Sequence, residues 1–347
     1  MINFTAVIVT YADRALLLEK VVEASISVGC NSIFIIDNGS AAISRMRIRG
    51  LQEKYSFINV IVNDNNLGSA VAFSQGMDLA MSDKNPNENI IFLDDDNVAV
   101  DDAIQSALEL YQKKEYDNSV FYLYRKDRPH YVKYIETRDD SVLIGKPNSF
   151  MTFTVSHYFK SFFKSKSKSK SKSKSKSKSK SKSKSKTLIS YDKITSDRSG
   201  LVEIPCGPYG GMLTSKSILA QGVRPYKDMF VYFDDTDYSI RLKMSGVKLY
   251  LITSCLLTDI DDSWTNEKLK SKYSSPFLEG ADYKVRYSIR NRIYFEKKYL
   301  VRNYSYYVIN IIGLLSINFV KAILTFKMNK FFKLISYVID GFLFSKK

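Results

Sequence analysis

Asn89-Ile90-Ile91-Phe92-Leu93-Asp94-Asp95-Asp96 is an apolar run that stops in three consecutive carboxylates. A short apolar run of this kind reads as a buried strand ending at the edge of a sheet. In open α/β sheets that edge is where ligands bind. Three acids crowded there repel one another unless a cation sits among them. Carboxylate oxygens are the ligands that Mg²⁺ and Mn²⁺ prefer, and Mg²⁺ usually takes one or two of them plus substrate phosphates. Two readings stand at this point: a metal-bridged phosphate site, or a surface loop capping the helix that starts near Asp101.

Working outward, residues 4–10, 32–36 and 58–62 are further strand candidates, and residues 15–28 and 69–81 have helical patterning. Strands alternating with helices at this spacing argue for a mainly parallel, doubly wound sheet. Turn residues stand at the strand ends, Asp37-Asn38-Gly39-Ser40 after one and Asn65-Asn66-Leu67-Gly68 after another. Downstream, the pattern predicts a helix over 101–114, a strand over 119–124 and short strands within 125–161. A strand over 201–205, a glycine-rich loop over 206–211, a helix over 234–245 closed by Gly246 and a strand over 248–252 follow. From Asp282 onward the chain reads as helical and aromatic.

The net charge of +16 is unevenly spread, because residues 164–186 alternate lysine and serine and hold twelve lysines. Without those lysines the net charge is +4. Such a tract cannot bury apolar surface and is expected to be disordered. It reads either as a solvated spacer or as a basic segment drawn to anionic lipid. Nucleic-acid binding lacks supporting aromatic–basic interleaving around it. The three cysteines show no paired spacing, which fits a reducing compartment. Met1-Ile2-Asn3-Phe4-Thr5 has no basic leader or signal-type apolar region, so secretion is not expected. No stretch in 302–347 reaches about 18 uninterrupted apolar residues, the usual spanning threshold. Lysines 321, 327, 330 and 333 among phenylalanines suit a helix lying in a membrane interface; packing on the domain or a partner is the alternative.

A second carboxylate cluster, Phe233-Asp234-Asp235-Thr236-Asp237-Tyr238, opens the 234–245 helix. Acids in a first helical turn commonly just cap free N–H groups. However, joining a nucleotide-activated donor to a hydroxyl needs a cation for the leaving phosphate and a base for the acceptor's proton. Asp94 and Asp96 are candidates for the first task and the second cluster for the other.

Val7-Ile8-Val9-Thr10-Tyr11, Ile36-Asp37-Asn38-Gly39-Ser40, Asn66-Leu67-Gly68 and Leu93-Asp94-Asp95-Asp96 follow one another in the order found in inverting family 2 glycosyltransferases with the GT-A fold. Gly207-Pro208-Tyr209-Gly210-Gly211, Phe233-Asp234-Asp235-Thr236-Asp237-Tyr238 with Arg241, and Arg290-Asn291 look most like the galactofuranosyl- and rhamnosyltransferase branch. The resemblance covers residues 4–300 without the insert. It implies an α/β, Rossmann-like GT-A sheet with a helical, membrane-interfacial C-terminal extension. It divides the chain into a nucleotide-sugar half (1–100), an acceptor half (101–270) and a helical region (271–347).

By resemblance, Thr10 and Tyr11 would lie beside the nucleotide base and Asp37 would hydrogen-bond the uracil or thymine ring. Asn66 and Gly68 would line the nucleotide pocket, with Asp95 near the donor ribose or sugar. Asp94 and Asp96 would bind Mn²⁺ or Mg²⁺, Asp235 would be the catalytic base, and Asp234 would contact sugar hydroxyls. Where such galactofuranosyltransferases place a metal-binding histidine, this chain has Leu257-Thr258-Asp259-Ile260-Asp261-Asp262-Ser263-Trp264. Asp259 is either a replacement oxygen ligand or an ordinary loop acid.

The expected activity is inverting transfer of a sugar, galactofuranose from UDP-galactofuranose in first place, onto a lipid-linked (polyprenyl diphosphate) oligosaccharide of a bacterial capsule, O-antigen or cell-wall polysaccharide. Rhamnosyl or other hexosyl transfer is the alternative. The expected location is cytoplasmic, on the inner face of the membrane, with no specific nucleic-acid partner. A nucleotidyltransferase would carry a glycine-rich phosphate loop, which Val9-Thr10-Tyr11-Ala12-Asp13-Arg14 lacks. A third reading is a polybasic membrane or nucleic-acid binding protein whose acids are only caps.

Overall fold

Among the described residues nine strands, numbered β1 to β9 along the chain, form one sheet in the order β3-β2-β1-β4-β8-β6-β9-β5, with β7 also on β9. The computed structural model describes residues 1–160, 200–261 and 274–344. The Lys-Ser tract and the Asp262-Ser263-Trp264 stretch lie outside the described residues. β1 (Phe4–Ala12), β2 (Cys30–Ser40), β3 (Ile58–Asn63) and β4 (Asn89–Asp94) are mutually parallel. The chain builds outward from β1 to β2 and β3, then returns to place β4 on the other side of β1. That reversal opens a crevice at the carboxyl ends of β1 and β4, where Thr10 and Asp94 stand.

The second half of the sheet is mixed. β8 (Met212–Ser215) runs antiparallel to both β4 and β6 (Ser119–Tyr124), whereas β9 (Lys248–Asp259) is parallel to β6. The short β5 (Asn97–Ala99) and β7 (Leu201–Glu203) pair antiparallel with β9. Asn97 is the register partner of Asp259.

Successive side chains of a strand point to opposite faces, and both faces here are covered. Val7, Phe34, Ile36 and Phe92 pack with Phe73 and Met77 of α3 (Ser69–Ala80) on one face. Phe4, Ala6, Ile8, Ile33 and Ile35 pack with Leu18 and Val22 of α1 (Ala15–Ser27) and with Ala107 and Leu108 of α4 (Ala103–Tyr111) on the other.

Several elements differ from expectation. α2 (Ala42–Lys54) has no counterpart in the sequence reading, because only Ser44, Ile48 and Leu51 are buried along its length. Asp37-Asn38-Gly39-Ser40 is not a free turn; it continues β2, with Gly39 at φ 82°. The segment expected to hold short strands forms helix α5 (Pro129–Thr137) instead. Pro129 starts it at a position that needs no N–H donor, and Tyr131, Tyr134 and Ile135 share its buried face. β9 runs on to Asp259, well beyond the expected 252.

The C-terminal helices Asp282–Tyr299, Tyr304–Leu324 and Met328–Leu343 share an apolar core of Val285, Ile289, Ile293, Tyr307, Phe331 and Val338. Tyr304–Leu324 is long and apolar enough, by length and composition alone, to cross a membrane. Its Ile309, Ile312, Val320 and Ile323 are exposed, and Phe326 just beyond it is 96% exposed.

Candidate active site

The end of β1 is joined to the carboxylate triplet by hydrogen bonds. Thr10 Oγ1 donates to Asp95 Oδ2 at 2.7 Å, and Arg14 Nε donates to Asp95 Oδ1 at 2.8 Å. The Arg14 fork also holds Asp96 Oδ2 at 2.9 Å and Asp261 Oδ2 at 2.6 Å. One guanidinium therefore gathers three acids, as its planar donor array allows. Burial still pushes Asp95 up to about 7 and Asp96 up to about 6, the second helped by the neighbouring Asp94 charge. Tyr11 is 37% exposed, with the Arg14 guanidinium 5.5 Å from its ring centre.

Asn97 ties the rest of the triplet to β9. Its Nδ2 donates to Asp96 Oδ1 and to Asp259 Oδ1, both at 3.0 Å, and its Oδ1 accepts from Arg125 Nη2 at 2.8 Å. Arg125 Nη2 stands 3.5 Å from Asp94 Oδ2, and Arg128 Nη2 donates to Asp259 Oδ2. Gly210 faces this knot. A Cβ there would stand 2.2 Å from Asn97 Oδ1 and 2.4 Å from Arg125 Nη2. The glycine-rich loop thus makes room for the protein's own side chains.

On the other wall, Asn38 Oδ1 accepts from the Leu67 amide at 2.9 Å, and Asn66 Oδ1 accepts from the Gly68 amide at 2.8 Å. Asp37 is fully buried, its oxygens accepting from the Ser40 amide at 2.7 Å and from Arg45 Nε at 3.2 Å. The neighbouring Asn38, not Asp37, lines the cavity. Gly68 has φ 86°, and a Cβ on it would lie 2.3 Å from the Phe230 carbonyl oxygen.

The second carboxylate cluster is joined to this wall through the start of α3. Ser69 Oγ, at the start of α3, donates to Asp234 Oδ2 at 2.8 Å. Asp235 Oδ1 accepts from the Thr236 amide at 2.6 Å. Burial raises the carboxyls of both Asp234 and Asp235 above their ordinary range, and for Asp234 the Asp235 charge adds to it. Asp94 and Asp235 lie within electrostatic reach of each other. Asp237 does not line the cavity and is fully buried. It accepts from Arg241 Nε at 2.6 Å, Tyr299 OH at 2.8 Å and Lys298 Nζ at 3.2 Å.

These elements enclose a cavity of about 720 Å³. Tyr11, Asn66, Gly68, Asp94, Asp95, Asp96 and Asp259 line it; Thr10, Asp37, Asp234 and Asp235 do not. Phe230, Tyr232, Tyr283 and Tyr287 line it from the C-terminal side. The sequence reading did not single out Arg14, Asn97, Arg125 or Arg128. Arg125 carried a usable signal, since it directly follows the apolar strand 119–124 just as Asp94 ends its own.

Among the described residues no three acidic, histidine or cysteine side chains converge to hold a metal ion. Asp94 has the open carboxylate, its side chain 45% exposed. Both oxygens of Asp96 and of Asp259 already accept hydrogen bonds from the protein. This donor set does not fit a closed cage. It fits a cation that takes one or two carboxylates and completes its shell with substrate phosphates, as Mg²⁺ does.

Residues 5–175 match the family model described as glycosyl transferase family 2. No curated protein matches the chain. Among solved structures, that of GalNAc-T7 with UDP, GalNAc and Mn²⁺ aligns at a TM-score of 0.48 and 12% identity, covering 84% of this chain and 47% of that one. S. aureus TarS aligns at 0.44 and 8% identity over 85% of this chain and 49% of its own. TarS 1–349 in complex with UDP aligns at 0.40 and 10% identity over 84% of this chain and 65% of its own. The chain thus spans about half the length of the first two. The fold is an α/β sheet with mainly parallel strands and a C-terminal helical region.

Proposed function

We propose that this chain, with its family 2 glycosyltransferase domain, moves a sugar from a UDP-sugar onto an acceptor hydroxyl with inversion. The observation that carries the reading is one cavity lined by Asp94, Asp95 and Asp96 together with Tyr11, Asn66 and Gly68, with Asp235 close enough to help raise the Asp94 carboxyl. One carboxylate is set for the leaving group and the other for the acceptor.

In this reading the acceptor oxygen attacks the anomeric carbon as the bond from that carbon to the β-phosphate oxygen breaks. The acceptor's proton passes to Asp235, and the bonding electrons leave with the nucleoside diphosphate. Attack from the face opposite the leaving group inverts the centre. Asp94 and Asp96 would hold Mn²⁺ or Mg²⁺, which would supply Lewis-acid stabilisation of the leaving diphosphate. Tyr11, Asn66 and Gly68 would orient the nucleotide, and Asp234, held by Ser69, would contact the sugar.

Galactofuranose is the first choice of sugar, since Phe233-Asp234-Asp235-Thr236-Asp237-Tyr238 looks closest to that branch; rhamnose is the second. The acceptor we propose is a lipid-linked oligosaccharide of a bacterial surface polysaccharide. Exposed Ile309, Ile312, Val320 and Phe326 would rest on the inner membrane face, bringing the cavity to that acceptor. A panel of nucleotide-sugars assayed for release of free nucleoside diphosphate tests the reading. Release that depends on one donor and on added acceptor is expected, and none from any donor would overturn it.

A further inference from the structure

We propose that Arg292 is a positioning residue for the transfer: lying over the Phe233 ring, its guanidinium sets where Asp234 and Asp235 stand, an inference that rests on the transfer reading above. Phe233 is the residue before Asp234, and its φ of 63° turns the chain into the helix Asp234–Met244. Its carbonyl accepts from the Asp237 amide at 2.9 Å, closing the first turn. A left-handed backbone on a phenylalanine persists only where the surroundings impose it. The Arg292 guanidinium belongs to those surroundings, 4.9 Å from the Phe233 ring centre and within range of a cation–π contact. Phe295, on the same helix as Arg292, has its ring centre 5.7 Å from that of Phe233.

The bland explanation is an ion pair one helical turn apart, since Arg292 Nε donates to Glu296 Oε1 at 2.5 Å with both side chains buried. Stability does not call for such a pair: a buried pair replaced by well-packed apolar residues is often neutral or stabilising. Nor does pairing account for the rest of the guanidinium. Its Nη2 is buried without a hydrogen-bond partner, and a Cβ on Gly145 would stand 2.1 Å from it. That side of the fork meets packing, and the face of the guanidinium meets a ring.

Glu296 is in turn a junction. Its Oε1 also accepts from the Met151 amide at 3.0 Å, and its Oε2 accepts from Tyr307 OH at 2.9 Å. Stretches of chain far apart in sequence therefore fix one carboxylate, the carboxylate fixes Arg292, and Arg292 bears on Phe233. Without the guanidinium, Phe233 is free to turn and the two aspartates shift with it. None of Tyr11, Asn66 or Gly68, the residues assigned to the nucleotide, depends on this chain of contacts.

Turnover per UDP-binding site, counted by UDP titration of the full chain, tests this. The double variant Arg292→Met/Glu296→Gln leaves no unpaired buried charge and is expected to bind UDP with unchanged affinity. Its kcat should fall by roughly 10–100-fold, since a group misplaced by about 1 Å can cost about 10²-fold. Arg292→Lys keeps a cation for both ring and carboxylate and should recover most of that loss. Phe233→Leu removes the ring but keeps the ion pair, and should lose kcat alone in the same way. Combining all three changes should cost no more than either alteration by itself, because coupled residues are not additive. Wild-type kcat per site in the double variant or in Phe233→Leu overturns the inference, and so do fully additive losses or a UDP affinity that falls in step with kcat. If the double variant forms no UDP-binding sites, Phe233→Leu and Arg292→Lys decide by the same criteria. A wild-type chain that releases nucleoside diphosphate from no donor would overturn the transfer reading instead.

Discussion

Asn291, in the first of the long C-terminal helices, donates from Nδ2 to the carbonyl of Tyr232 at 2.9 Å, and shares that amide with the Met229 and Val231 carbonyls at 2.8 Å each. The loop it grips is strained: Phe230, Tyr232 and Phe233 have φ of 64°, 67° and 63°. Non-glycine residues in such conformations cost about 1–3 kcal/mol each and persist only where the surroundings impose them. The next residues are Asp234 and Asp235. Asn291→Ala removes a donor shared by three carbonyls, of which Met229 keeps Arg290 Nη2 and the Val231 amide, and a stability loss of about 2 kcal/mol is expected. The loop then relaxes, so turnover should fall further than donor affinity. Denaturant melts together with kcat and donor KM measure both; a melt shift with unchanged kcat would refute the role of the loop.

Asp235→Asn keeps the side chain's size and its place at the helix start but removes the proton acceptor. Transfer should fall by roughly 10²–10⁴-fold, the usual worth of general base catalysis. Donor binding should change little, because the amide keeps the size and place of the carboxylate. Near wild-type turnover would remove it as the base.

Burial raises the Asp235 carboxyl, and a base works only when ionised. The rate should therefore rise with pH along an acid limb centred above the ordinary aspartate value of 3.8. The same shift has a stability sign. A carboxyl that binds its proton more tightly when folded stabilises the fold at low pH, and that contribution is lost as pH climbs through the raised value. A kcat/KM profile with its acid limb at or below 3.8 would contradict the assignment.

Chelation bears on Asp94 and Asp96. EDTA should stop transfer, and Mn²⁺ or Mg²⁺ should restore it. Full activity in EDTA would take both aspartates out of metal binding.

Deleting residues 164–186 discriminates the transferase from a polybasic binding protein. The transferase should keep its turnover on a soluble acceptor, whereas a binding protein would lose its function with its twelve lysines.

The sequence carried the first hundred residues well, because alternating apolar runs and turn residues report buried parallel strands directly. Asp94-Asp95-Asp96 was legible for the same reason: charge directly after such a run marks a sheet edge. The arginines were not legible, since their partners are far along the chain; Arg14 meets Asp261 and Arg128 meets Asp259 only once β9 lies in the sheet. β5 and β8 were too short to show a period, and α2 buries too few residues to show a stripe. Arg290-Asn291 was visible as a motif, but its grip on a strained loop depends on φ values that no spacing encodes.

The bonds from Tyr299 and Lys298 to Asp237 carry a consequence for how this chain can be recombined with others. The family match ends at residue 175, which would make everything after it look exchangeable between relatives. Yet Asp237 of the helix bearing the proposed base accepts from Lys298 and Tyr299, and Asn291 grips the loop just before that helix, each across about sixty positions. A chimaera that imports new C-terminal helices without residues 228–299 as a block would break these bonds on both sides of Asp234 and Asp235.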